Sequence, residues 1–326
     1  ANAWWLLVTL TLFFVASTTY IIPFNALMPE MTRTSDERVR LATLQQAGFV
    51  AGIVIAASTN NLAAWLQEEF LIAEKIKSIE LAIALLAVCG GIFMLIPVLV
   101  IDERKFSLAK PSHLPLREAL RATTGNRNFI IYLAADFAWY MALYIIMSGL
   151  LFYVTVLVRE SESLGLKLMG TMVGISLLFY PFMSYLSNRF GKKKIVLFAF
   201  FILGFVSAGI YGLGEYPVSG QVQLFTFVCL AAFPLAALGI LPPAILAGIA
   251  RADAEKTGEN REGLYFAVKY FVVKLGQTFG IAVFATLTLL GQNVGDDFGL
   301  RLTGVVVMLL CFSALVVFSF FKGEKG

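Results

Sequence analysis

The sequence predicts an all-α protein that crosses a lipid bilayer about nine times, and three observations carry that prediction. Hydrophobic residues make up 59% of the 326-residue chain and charged residues only 14%, against roughly 25% charged in a soluble domain. The hydrophobic residues gather into runs of about 20 or more, the length a helix needs to cross a hydrocarbon layer roughly 30 Å thick. The basic residues between the runs fall unequally on alternate sides, which is the signature of membrane orientation.

Taken in order, the runs cover Ala3–Met28, Thr43–Trp65, Ile79–Ile101, Phe129–Leu157, Leu166–Asn188, Lys194–Gly214, Val222–Ile249, Leu264–Leu290 and Arg301–Phe321. Of the 25 lysines and arginines, five (Lys75, Lys77, Arg159, Lys167 and Arg301) lie on one side and two (Lys269 and Lys274) within runs. The other 18 lie on the opposite side. The basic side is expected to be cytoplasmic, which places the C-terminus inside and Ala1 outside. A start at Ala1 with a run beginning at Trp4 is expected to be artificial, with further spans upstream. The longest polar connection, from Asp102 to Asn128, suggests three parts: 1–101 as the end of one helical bundle, 102–128 as a central cytoplasmic loop, and 129–326 as a six-helix bundle. Within the loop, Leu116–Thr124 could form a helix on the membrane surface.

The net charge of +4 forms no basic patch with interleaved aromatics, so nucleic acid is not an expected partner. Cys89, Cys229 and Cys311 are isolated in apolar runs and imply neither a disulfide framework nor a zinc site. The single histidine leaves no metal constellation, and no metal, cofactor or enzymatic activity is expected. Gly191-Lys192-Lys193 lacks the upstream glycine and the following Ser or Thr of a phosphate loop. Without an ATP motif, any work must draw on an existing gradient.

Ionisable residues inside spans are the most informative, because a charge at mid-bilayer costs about 2.5–3.5 kcal/mol on the insertion scale. Asp136 and Lys269 each lie roughly 10 Å into their spans at 1.5 Å per residue. They either form a structural ion pair, or Asp136 faces an aqueous cavity with Tyr132, Tyr140, Tyr144 and Trp139 as an aromatic wall suited to a polyol. Lys274 lies near the midplane and shares a helix face with Tyr270, Gln277 and Thr278. That stripe either lines a cavity or serves a structural pair with a carboxylate elsewhere. Pro234, Gly239, Pro242 and Pro243 are expected to interrupt the seventh span, and Pro181, Gly170 and Gly174 to punctuate the fifth; Gly170-x-x-x-Gly174 alternatively permits close helix packing.

Two stretches resemble the glycoside/pentoside/hexuronide:cation symporters, the melibiose permease branch of the major facilitator superfamily. They are Pro23-Phe24-Asn25-Ala26-Leu27-Met28-Pro29-Glu30-Met31-Thr32 with Asp36-Glu37-Arg38, and Thr257-Gly258-Glu259-Asn260-Arg261-Glu262-Gly263 with Lys274-Leu275-Gly276. Asn126-Arg127-Asn128-Phe129 and Arg189-Phe190-Gly191-Lys192-Lys193 are similar to two further loops of that family. The resemblance covers essentially the whole chain and implies a twelve-helix fold, of which these spans would be helices four to twelve. It matches Lys274 to the family's cation-coupling lysine on helix eleven. Ile21 and Gln46 stand where that branch has a charged aspartate and arginine. The Arg189–Lys192 loop is also similar to the superfamily's signature loop, with positive-inside anchoring as its alternative role.

The resemblance implies a secondary transporter that couples sodium or proton movement to a sugar, glycoside or similar polar solute. A non-transporting receptor or scaffold, or a carrier of a non-sugar solute, is the alternative. Asn25, Asp136, Trp139, Tyr140, Tyr270, Lys274, Gln277 and Thr278 are the expected solute and cation pathway. Glu37, Arg38, Arg189, Gly191, Lys192, Asp253, Arg261 and Glu262 are the expected cytoplasmic gating residues. The expected partners are a small-molecule substrate and the lipid bilayer, with the protein monomeric in a plasma membrane of bacterial inner-membrane type.

Overall fold

The computed structural model describes residues 2–70, 74–101, 110–111, 121 and 123–322. Its helices are α1 (Asn2–Met31), α2 (Ser35–Ala57), α3 (Thr59–Glu69), α4 (Lys75–Val100), α5 (Arg127–Phe152), α6 (Glu162–Phe190), α7 (Lys192–Gly209), α8 (Gly220–Thr257), α9 (Glu262–Thr288) and α10 (Phe298–Ser319). Among the described residues nine helices, all but α3, are long and apolar enough to cross a membrane. Extended structure among them is limited to a parallel pairing of β1 (Lys110–Pro111) with β2 (Glu259–Asn260) and one Asn293–Asp296 bridge. The expected surface helix at Leu116–Thr124 lies largely outside the described residues.

Two expected spans differ. The run Thr43–Trp65 is divided, because α2 starts at Ser35 and ends at Ala57, and α3 begins at Thr59. The earlier start has a local cause. The Thr34 hydroxyl accepts from the Glu37 amide at 3.2 Å, and Glu37 accepts from the amides of Arg33 and Thr34 at 2.7 and 3.3 Å. This reciprocal capping satisfies amides that the helix itself leaves open. The second difference is α8, which runs unbroken for 38 residues with Pro234, Pro242 and Pro243 inside it. At 1.5 Å per residue it is about 57 Å long, nearly twice the hydrocarbon thickness.

Residues 44–108 form one compact unit and residues 1–43 with 109–326 another. In the first, α3 packs on α4 through Ala63, Leu66 and Ala82, supported by Leu62 and Ile79. Elsewhere α4 exposes Phe93, Leu99 and Val100, as expected of a helix whose solvent is lipid.

In the larger unit α5 is central. It packs against α9 and α10, α7 packs against α10 and α8, and α8 also packs against α6. The tightest approaches use glycine. A Cβ on Gly276 or Gly280 of α9 would meet backbone oxygens of Phe137 at 3.0 Å or Met141 at 2.7 Å on α5, and one on Gly304 of α10 would meet Ser207 O of α7 at 2.5 Å. Gly170 and Gly174 instead have nothing within 4 Å of such a Cβ, so neither permits a close helix crossing here.

At the sparsely basic end, Arg301 binds Asp297 through two bonds of 2.9 and 3.1 Å, reaches Glu215 at 3.2 Å and donates to Tyr211 O at 2.6 Å. The Arg301 hydrogen bonds hold the Asp297 carboxyl below the ordinary carboxylate range. The stability from this pair is complete above that ordinary range and is lost as pH falls through the depressed value. Arg301→Gln should therefore lower the melting temperature near neutrality, with the gap to wild type closing on acidification in thermal melts taken across pH.

Candidate functional site

The expected pathway residues fall into two groups, one around Asp136 and one around Lys274, with Tyr270 of α9 within electrostatic reach of the first and hydrogen-bonded in the second. The first surrounds Asp136, which is 4% exposed on α5. Asp136 lines a cavity of about 10 Å³ with Tyr132 and Trp139 of α5, Val196 and Phe200 of α7, Leu238, Pro242 and Ile245 of α8, and Phe318 of α10. That is room for about one water. The Asp136 Oδ2 and Tyr132 hydroxyl oxygens are buried without a hydrogen-bond partner. Lys269 of α9, itself 3% exposed, is near enough to attract the Asp136 carboxylate electrostatically, and its Nζ lies 5.2 Å from the centre of the Tyr270 ring. No direct salt bridge joins the two. Tyr140 lies against α9 beside Gly276, within electrostatic reach of both Asp136 and Tyr270.

The second group lies between α9 and α1. The Tyr270 hydroxyl is hydrogen-bonded to the Asn25 side chain across this seam, while Asn25 Nδ2 also donates to Ile21 O at 2.8 Å. One turn further along α9, Lys274 is exposed and places its Nζ 5.3 Å from the Phe14 ring centre. Among the described residues no carboxylate pairs with it. Gln277 is half-buried and Thr278 exposed beside it. The Thr278 hydroxyl donates to Lys274 O at 2.9 Å, which leaves its oxygen free to accept from a solute.

At the arginine-rich end, the segment joining α1 to α2 is stitched to α6 and α8. Arg251 of α8 donates to the carbonyls of Pro29 at 3.3 Å and Thr32 at 2.5 Å. Asp36 accepts from Ser184 and, at 2.9 Å, from Asn188, both on α6, while Arg40 pairs with it at 2.7 Å. Glu262 lies close to Glu30 and Arg251. Of the residues expected here from sequence, Glu37 caps α2, Arg38 is 7% exposed, and Arg189 folds back onto the Tyr185 hydroxyl at 2.9 Å. Gly191 makes the α6–α7 turn at φ 83°, a conformation that favours glycine. Lys192 opens α7. Arg261 pairs with Asp253 at 3.2 Å across the α8–α9 turn.

A model of the MFS/sugar transport protein family matches residues 1–321. The chain belongs to this family. Two relatives provisionally named 2,3-dihydroxypropane-1-sulfonate exporters resemble it: that of Escherichia coli K12 is 25% identical over 267 residues, 78% of this chain and 54% of the relative, and that of Salmonella typhimurium LT2 is 26% identical over 300 residues, 85% and 61%. An uncharacterized symporter of Bacillus subtilis 168, YnaJ, is 23% identical over 94% of this chain and 67% of its own length. The chain thus spans between about half and two-thirds of these curated relatives. Among solved structures, the fucose:proton symporter FucP of E. coli superposes with a TM-score of 0.58 at 13% identity, covering 90% of this chain and 72% of FucP; that likeness establishes the fold alone.

As a member of the MFS/sugar transport family with nine apolar helices among the described residues, the chain is a multi-pass membrane protein of major facilitator fold. Sequence reasoning did not select Ser184, Asn188 or Arg251. It took Asp36 only as part of the family-like stretch Asp36-Glu37-Arg38, and Arg251 only as one of the basic-side charges. What sets them apart is their partners, a pair of carbonyls exposed at the end of α1 and an α6 face more than 140 residues away, which no local pattern encodes.

Proposed function

We propose that this MFS/sugar transport chain carries a small polyhydroxylated organic anion, a sulfonate or sugar acid, coupled to a cation gradient by alternating access. The observation that carries this reading is Lys274, a cation exposed on α9 without a carboxylate partner among the described residues, set in a stripe with Tyr270, Asn25, Gln277 and Thr278. A lysine ammonium offers three donors to an anionic oxygen cluster, and the neighbouring amide and hydroxyl groups suit vicinal hydroxyls. The compound for which the two exporter relatives are named, 2,3-dihydroxypropane-1-sulfonate, has both features. The glycoside:cation symporter motifs around Asn25 and Lys274 support a sugar-like polyol part and cation coupling. The lysine and arginine bias supports a cytoplasmic arginine-rich end in a plasma membrane.

The test is counterflow of labelled 2,3-dihydroxypropane-1-sulfonate in proteoliposomes of the full-length protein, with glycerol as the uncharged comparison. Sulfonate should exchange and glycerol should not. Lys274→Ala should weaken apparent sulfonate affinity about 10- to 100-fold, because a hydrogen bond to a charged group contributes about 1.5–3 kcal/mol and 1.4 kcal/mol is a factor of ten. Sulfonate exchange indifferent to Lys274→Ala would remove the lysine from the site, and equal exchange of both solutes would remove the anion specificity.

A further inference from the structure

The outward face of α7 is ordered by depth. Lys194, Phe198, Phe201 and Phe205 recur at i, i+4, i+7 and i+11, so they share one face of the helix, and all four are exposed. At 1.5 Å per residue the rings begin about 6 Å and end about 17 Å beyond the lysine, which spans one leaflet of a hydrocarbon layer roughly 30 Å thick. A cation thus stands over a ladder of apolar rings one acyl chain deep.

Two helices build this surface. Phe201 packs on Phe205 with ring centres 4.7 Å apart, and both meet Phe312 of α10, at 6.5 and 5.5 Å. Gly204 admits that ring, since a Cβ there would lie 3.2 Å from it. At the basic end Lys193 closes the same seam by donating to Ser319 O of α10 at 2.5 Å, and Lys322, three residues beyond Ser319, is exposed.

The positive charge here lacks a matching acid. The first turn of α7 holds Lys192, Lys193 and Lys194 and no acidic residue, and among the described residues no carboxylate pairs with Lys194. Asp36, the carboxylate held against α6, is already engaged by Ser184, Asn188 and Arg40. The basic end of α8 makes the contrast. Lys256 is exposed there too, but Ile249 and Ile245, at i−7 and i−11 on its face, are buried.

We propose that the α7–α10 face binds an anionic phospholipid of the leaflet at the basic end. The lipid phosphate sits on the ammonium groups of the first turn of α7, and one acyl chain lies along Phe198, Phe201, Phe205 and Phe312. Charge complementarity selects this occupant. A free anion leaves the rings uncovered, and a zwitterionic lipid leaves the lysines without a net counter-charge. Each lysine beside an anionic leaflet strengthens the attraction about fivefold. None of these residues belongs to the Lys274 stripe, so the assignment stands apart from the transport reading.

The experiment is native mass spectrometry of the full-length protein in detergent, titrated with phosphatidylglycerol or with phosphatidylcholine of identical chains. Wild type should retain phosphatidylglycerol in preference. Lys194→Gln should weaken that retention about fivefold and Lys194→Glu about 25-fold, with phosphatidylcholine unchanged, while Lys256→Gln should match wild type. Lys194 is exposed and without a carboxylate partner, so neither of its variants removes a packing contact. Equal retention of the two lipids overturns the proposal, as does an equal loss in Lys256→Gln, which would make the attraction a property of the whole basic end. Displacement of the lipid by an equal concentration of glycerol 1-phosphate would make this a site for free phosphate and overturn it too. So would a lipid-free dimer that dissociates in Lys194→Glu, which would assign the face to a second copy of the chain.

Discussion

Gly304→Val should destabilise the bundle by about 3 kcal/mol or more, and Gly280→Val by about 1–3 kcal/mol, the range for overpacking a tight contact. At Gly304 even a methyl group would sit 2.5 Å from Ser207 O and 2.7 Å from Ile210 Cβ, and the first of these is backbone that cannot rotate away. Relief requires α10 and α7 to separate. The cost extends beyond the crossing, because Thr303 beside it holds the buried Tyr153 hydroxyl at 2.7 Å, fixing the π-helical end of α5 (Tyr153–Leu157). At Gly280 the obstruction is Met141 O at 2.7 Å and Tyr144 Cβ at 3.1 Å, so α9 would be lifted from α5 along the turns that carry Lys269 and Lys274. Gly174→Val is the matched control, since its Cβ meets nothing within 4 Å. Thermal unfolding in detergent, followed by tryptophan fluorescence, should rank Gly304→Val below Gly280→Val, with Gly174→Val near wild type. A Gly174→Val variant as damaged as Gly304→Val would contradict the packing described above.

The same glycines show what was legible in the sequence. Hydropathy and charge bias were enough to find nine spans, all but the second and seventh within a few residues, because a lipid solvent forces each crossing to be one long apolar helix. They could not choose between glycine pairs. Gly170-x-x-x-Gly174 and Gly276-x-x-x-Gly280 have the same spacing, and which of them meets a neighbour depends on how α6 and α9 are rotated in the bundle. Prolines misled for a related reason: α8 keeps Pro234, Pro242 and Pro243 in one continuous helix because its burial among α6, α7 and α9 holds it together against their local preference. At the candidate site, periodicity on a single helix gave the Lys274 stripe, and depth counting placed Asp136 level with Lys269. Sequence placed Tyr132 and Trp139 beside Asp136 on one helix, but it did not reveal that Val196, Phe200, Leu238, Pro242, Ile245 and Phe318 close over them, or that Tyr270 reaches Asn25, since each of these relations joins helices far apart in the chain.

Arg251→Ala and Asp36→Ala should shift the protein toward a form open at its arginine-rich end. Arg251 clasps two carbonyls at the exit of α1, and Asp36 grips two side chains of α6, so together they tie one short segment to two different helices. None of these bonds lies in the Lys274 stripe. Each contact that involves a charged group contributes about 1.5–3 kcal/mol, so losing one should favour the opened form about 10- to 100-fold. The shift is detectable because the α1–α9 seam would become reachable from that side. A cysteine at Thr278, in a background with the exposed Cys89 and Cys229 replaced by serine, should react faster with a membrane-impermeant maleimide applied to the arginine-rich face once Arg251 or Asp36 is truncated. Glu37→Ala serves as the control. Glu37 lies beside Asp36, but its hydrogen bonds cap its own helix, so its loss should lower stability without speeding the labelling. Equal acceleration by Glu37→Ala would mean that the segment merely frays, and that Arg251 and Asp36 do not hold the end closed.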